Sequence, residues 1–124
     1  MKALLSIKPE FVEKIFSGEK SYEYRKRIFK RKIESIVVYS TKPVGMIVGE
    51  FTIEEILEGC PKHLWEKTKN SSGVKRRFYN EYFQNRSKGY AIKIGERKLY
   101  DVPINLSEMI DSFTPPQSFC YLAF

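Results

Sequence analysis

The sequence predicts an α+β fold, a small curved sheet or barrel with helices packed at its side. Three observations carry this. Short β-branched or alternating runs recur, as in "ALLSI" at 3–7, "IESIVVYS" at 33–40 and "GYAIKIG" at 89–95. Apolar stripes of helical period lie between the runs, at 11–16 and 74–83. The chain also stays apolar to its last residue, as a terminal strand completing a sheet would. With 124 residues and no evident linker, repeat or low-complexity tract, the expectation is one domain, 1–124, with a single core.

The elements follow in order. "ALLSI" suits a buried strand. Pro9 then stands where a first helical turn tolerates proline. Phe11, Val12, Ile15 and Phe16 form one apolar stripe, and Gly18 sits where a C-terminal cap belongs. From Lys20, "SYEYRKR" has period two, which predicts a half-buried strand with Tyr22 and Tyr24 on one face and Glu23 and Arg25 on the other. The run 33–40 and the long run 46–57 are joined by "TKPVG", so antiparallel pairing is expected. Gly49 inside the second run marks a bulge or a close backbone approach. Pro61 opens a helix with contacts Leu64, Trp65 and Thr68, and "NSSG" at 70–73 breaks it. Val74, Phe78 and Tyr82 recur at i, i+4, i+8 on a second helix, beside Tyr79 and Phe83. The strand from 89 continues through a bend at Pro103, and a diproline turn precedes the final strand.

Charge is uneven. The chain holds 22 Lys and Arg against 15 Asp and Glu, a net +7. Residues 20–32 alone hold seven cations against Glu23, and the other 111 residues sum to about +1. A local excess of this kind is the footprint of a phosphate-facing patch; a solvated hairpin loop has the same composition. His63 is the one histidine, and Cys60 and Cys120 are far apart. With no C-x-x-C, neither a metal site nor a cofactor is expected, and both cysteines read as free thiols in a reducing compartment. The apolar run after Lys2 is too short for a signal-peptide core, and nowhere are there 18 consecutive apolar residues. A cytoplasmic protein without a membrane partner is expected. Its oligomeric state is left open.

The phosphate-loop, dinucleotide and H-E-x-x-H signatures are absent. The remaining constellation is Lys20, Glu23 and Arg25, in the pattern G-x-K-x-x-E-x-R from Gly18. A carboxylate between two cations would hold both in place. A lysine in that setting can bind phosphate, or act as a base if desolvated. Strict alternation puts Lys20 on the tyrosine face, so it must reach the site through a twist or from the rim.

"SIKPEFVEKIFSGEKSYEYRKR", "VGEF" at 48–51, "KGYAIKIG" at 88–95 and the closing "PPQSFCYL" together resemble the ASCH (activating signal cointegrator homology) domain of the PUA-like superfamily. The resemblance implies a mixed β-barrel of about five to six strands with flanking α-helices and a basic cleft beside the barrel. In that family the cleft is proposed to receive RNA or a modified nucleoside. Carried over by position, it would hold Lys8, Lys20, Glu23, Arg25, Glu50, Gln117 and Ser118. One branch of the family hydrolyses N4-acetylcytidine with a threonine three residues after the lysine; here that place is Glu23, which argues against that mechanism. Another branch cleaves RNA with the motif lysine and a C-terminal serine, matched by Lys20 and Ser118.

The first expectation is therefore a binding module for RNA or other single-stranded nucleic acid. Lys26, Arg27, Lys30, Arg31 and Lys32 would hold the phosphates, and the cleft would take a nucleotide. The alternative is a hydrolase, either a metal-independent ribonuclease or an amidohydrolase on a modified nucleoside, with Lys20, Glu23 and Ser118 as its catalytic residues. A protein-interaction or regulatory domain is the third reading.

Overall fold

A computed structural model describes residues 1–109 and 119–122. The order is β1 (Lys2–Ile7), α1 (Pro9–Ser17), β2 (Tyr22–Arg25), β3 (Ser35–Ser40), β4 (Met46–Gly59), α2 (Pro61–Thr68), α3 (Arg76–Tyr82), β5 (Gly89–Ile104), a one-turn α4 (Leu106–Met109) and β6 (Phe119–Leu122). A short 3-10 turn, Lys69–Ser71, follows α2. The six strands form one mixed sheet in the order β2-β5-β4-β3-β1-β6. β1 and β3 pair in parallel, which requires the crossover supplied by residues 8–34. The remaining pairs are antiparallel, including β3 with β4 across the Pro43 turn.

The sheet is curled into a half-barrel, and one hydrogen bond shows how far. Four strand steps separate β2 from β1, which would be about 19 Å in a flat sheet. Yet an Arg25 amino group on β2 donates to the Ser6 carbonyl of β1 at 3.0 Å. The β2 edge therefore rolls round to meet the β1–β6 edge, leaving a seam that side chains bridge. Register shifts along β4, including one between Ile47 and Gly49, supply the bends.

Inside the half-barrel, Leu5, Ile7, Ile36, Val38, Phe51, Ile92 and Ile94 pack against Val12 and Ile15 of α1. Gly18 ends α1 at φ +92°, with its N–H donating to the Ile15 carbonyl. A second cluster joins Tyr24 to Leu64, Trp65, Tyr79 and Phe83 on the outer face of the sheet. β2 is consequently not half-buried as its alternation suggested. Helices α2 and α3 cover Tyr24, while the seam takes Glu23 and Arg25, each 8% exposed.

α3 is fixed in place by Tyr79, whose hydroxyl donates to the Pro61 carbonyl at 2.6 Å. Thr68 gives its proton to the Leu64 carbonyl, so the Tyr24 hydroxyl donates to Thr68 at 2.7 Å. These bonds satisfy the buried polar ends of an otherwise apolar cluster. They also leave Phe78 and Tyr82, one turn apart on α3, turned toward the seam. Cys60 and Cys120 are both free thiols. Among the described residues, no helix is long and apolar enough to cross a membrane.

Candidate functional site

A cleft of about 440 Å³ opens at the seam. The end of β1 supplies Ser6 and Ile7, and the start of α1 adds Lys8 and Phe11. Lys20 and β2 form the floor, while Phe78, Tyr79, Glu81 and Tyr82 of α3 form the far wall. The cleft exists because the sheet edges approach here without pairing through their backbones.

Glu23 bridges the two neighbouring cations. Its carboxylate lies 3.8 Å from Lys20 Nζ and 3.4 Å from an Arg25 amino nitrogen. Lys20 is only 1% exposed and donates to the Ser72 carbonyl at 3.0 Å. Its ammonium also faces the rings of Tyr24 at 4.8 Å and Phe11 at 5.5 Å. Burial lowers the Lys20 pKa to about 8; Glu23 opposes the shift, and Lys14 and Arg25 add to it. Burial also raises the Tyr24 phenol to about 12, so it stays a donor at neutral pH.

Lys20 reaches the cleft neither by a strand twist nor from the rim. It precedes β2 altogether, and its backbone N–H donates to the Lys14 carbonyl at the end of α1. Its stem is covered by the loop that follows α2. Gly73 has φ +68°, and a Cβ there would stand 2.7 Å from Lys20 Cγ. Only glycine meets both demands. Lys14 Nζ donates to the Gly73 carbonyl and the Ser21 N–H to the Ser71 carbonyl, which pins this loop down. The helix-breaking "NSSG" is thus also the cover of Lys20, and a glycine after a short polar run was the only sign of it.

The structure brings Lys8, Lys20, Glu23 and Arg25 to this cleft. It does not bring Glu50 there. Glu50 lies in β4, accepting hydrogen bonds from Lys2 at 3.2 Å and Tyr100 at 2.6 Å. Burial there favours the neutral acid, but these bonds outweigh it and hold the carboxyl below its usual range. Gln117 and Ser118 lie outside the described residues. Lys26, Arg27, Lys30, Arg31 and Lys32 are all exposed on the loop after β2. Only Lys26 touches the cleft wall, with its ammonium 4.7 Å above the Tyr82 ring.

The cleft is not the basic trough that was expected. Three cations line it, but so do Glu23 and Glu81, and much of its wall is apolar or aromatic. Phe78 and Tyr82 are nearly parallel, 10° apart with centroids at 6.2 Å, and Lys8 lies over the Phe78 ring at 5.1 Å. The sequence shows both rings only as part of the apolar stripe on an amphipathic helix. Helical periodicity cannot tell a core-facing stripe from one lining a cleft.

Residues 5–98 match the ASCH domain family model. The chain belongs to the ASCH family. It is 31% identical to an ASCH domain-containing ribonuclease of Zymomonas mobilis, over 98% of this chain and 84% of that protein. The crystal structure of ASCH from Zymomonas mobilis superposes with a TM-score of 0.91 at 32% identity, covering 98% of this chain and 87% of that one. A serine-to-alanine variant of that protein gives the same TM-score of 0.91, at 31% identity and with 98% and 88% of the two chains covered. The half-barrel, its seam and its flanking helices are thus an ASCH fold. Here it carries a buried ionic triad at the floor of an aromatic-walled cleft.

Proposed function

We propose that this ASCH domain binds single-stranded RNA, seating one nucleotide in the seam cleft and holding the neighbouring phosphates on the loop 26–32. The observation that carries the reading is the cleft itself, with Lys20, Glu23 and Arg25 below and aromatic rings beside them. An unstacked base needs a ring to stack on and polar groups to read its edge. Phe78 and Tyr82 supply the surface; Arg25 and Lys8 supply donors. Phosphates need accessible cations, which the loop offers.

The test is fluorescence anisotropy with a labelled 2′-O-methyl hexauridylate, which resists cleavage at the 2′-hydroxyl. Affinity should fall steeply with added salt, with a log–log slope of roughly −0.7 per phosphate contacted. Phe78→Ala should weaken it about tenfold, as loss of one stacked base does. An absence of affinity at low salt would sink this reading.

A second reading, cleavage of the bound RNA, is favoured by the desolvated Lys20 and by the ribonuclease name of the Zymomonas mobilis relative. With a pKa of about 8, roughly a tenth of Lys20 is neutral amine at pH 7. That amine takes the proton of a 2′-hydroxyl as its oxygen attacks the adjacent phosphorus. The bond to the 5′-oxygen breaks, and that oxygen takes a proton from water. Arg25 balances the charge gathering on the phosphoryl oxygens. Ser118, matched by position to the family's C-terminal serine, would complete the site. The rate should rise as pH passes through about 8, because deprotonation makes the base. Turnover should vanish in Lys20→Ala and in Ser118→Ala; turnover persisting in both contradicts the assignment. Glu23 stands where the acetylcytidine-cleaving branch keeps threonine and is engaged by two cations, so amide hydrolysis is the less supported hydrolase reading.

A further inference from the structure

The seam continues beyond the cleft. On the far side of Lys26 lies a larger groove, about 780 Å³, formed where the loop after β2 crosses to β6. Its lining includes Lys26, Arg27, Lys30, Tyr90, Phe119 and Tyr121. The loop is attached to β6 by specific contacts. The Lys30 N–H donates to the Tyr121 hydroxyl at 3.0 Å, and the Arg31 guanidinium lies 4.9 Å from the centre of the Tyr121 ring. Phe29 meets Phe119 edge-on at 4.9 Å. This basic run is therefore one wall of a built groove whose other wall is aromatic.

Two features set the groove apart from the cleft. Three cations and no carboxylate are found among the described residues that line it, whereas the cleft mixes both signs. Its rings are only half-buried, and Tyr90 and Tyr121 each already carry a cation, Lys88 at 5.6 Å and Arg31 at 4.9 Å from the ring centre. Exposed cations interleaved with accessible rings are what a single strand requires, since phosphates track the charge and bases stack on the rings. The cleft and groove also share a boundary. Lys26 lines the groove while its ammonium covers the Tyr82 ring of the cleft. Tyr90 stands directly opposite Arg25 in the β2–β5 ladder, so the two side chains share a face.

We infer that this groove is a second subsite, taking the bases and phosphates next to the nucleotide in the cleft, so that the ligand is an oligonucleotide strand rather than a free nucleotide. The inference rests on the proposed RNA-binding reading and goes further in seating the neighbouring bases in the groove, against Tyr90 and the rings of β6.

The test compares two probes, 2′-O-methyl hexauridylate and uridine 5′-monophosphate, against wild type and the double variant Arg27→Glu/Lys30→Glu. Both substituted side chains are exposed, so folding should be unaffected. Hexamer affinity should fall at least tenfold, with monophosphate affinity unchanged. Tyr90→Leu, which keeps apolar bulk without a ring, should weaken the hexamer about fivefold or more. Equal losses for both probes, or no loss for the hexamer, would overturn the second subsite. Wild type that binds the hexamer no better than the monophosphate overturns it as well, and with it the loop's phosphate contacts, while leaving a nucleotide in the cleft. Wild type that binds neither probe removes the RNA reading and, with it, this one. A DNA hexamer bound as tightly as the RNA one keeps the groove and broadens its ligand to any single strand.

Discussion

Arg25 and Arg27 are two residues apart and belong to different chemistries. Arg25 is 8% exposed, ion-paired with Glu23 and bonded across the seam to Ser6. Arg27 is exposed on the following loop. Charges of the first kind are held by the fold and hold it in return, because a buried ion deprived of its partner is costly. Charges of the second kind contribute little to stability and are free to meet a polyanion. Net charge sums these two populations; burial separates them.

The comparison can be broken most severely at Glu23. Glu23→Ala leaves Lys20 and Arg25 buried without their shared carboxylate and should cost about 3–5 kcal/mol in urea denaturation. A loss below 1 kcal/mol would mean that the triad is solvated. pH gives the next largest effect. The folded pKa of Lys20, about 8, lies below its ordinary value of 10.5. Between these values the unfolded chain binds the extra proton, so stability should rise with pH across that window. Converting this displacement gives roughly 3 kcal/mol. The rise should be missing in Lys20→Met, measured as the difference in unfolding free energy between the two proteins at pH 7 and near pH 10. Gly73→Ala should cost about 2 kcal/mol, since alanine disfavours φ +68° and its methyl meets the Lys20 stem. The smallest effect belongs to the loop. Lys32→Ala should change stability by less than about 0.5 kcal/mol while weakening hexauridylate modestly and reducing its salt slope.

Local signals in the sequence were legible. Pro9 and Gly18 bracket α1 because each acts through its own backbone geometry. The triad was legible too, since Glu23 and Arg25 lie two apart on one strand. What failed depended on distant contacts. Alternation placed Lys20 on the tyrosine face only by counting it into the strand, which begins at Tyr22. β2 looked half-exposed because nothing local announces that α2 and α3 cover one face and the seam the other. Glu50 was assigned by position in a family pattern, and its real partners, Lys2 and Tyr100, come from strands on either side of the β3–β4 pair. Phe78 and Tyr82 were legible only as a helical stripe, because such a stripe records that a face avoids water and not whether it meets the core or a cleft. The seam follows from the order of six strands, which no local pattern encodes.

The central claim is that the cleft, and not the basic loop, receives the nucleotide. Its most direct test is amide chemical-shift mapping by NMR as uridine 5′-monophosphate is added. The account predicts that shifts concentrate at Ile7, Lys8, Phe78 and Tyr82 and leave Arg27 to Lys32 unmoved. Shifts confined to Arg27–Lys32, with the cleft silent, would contradict it.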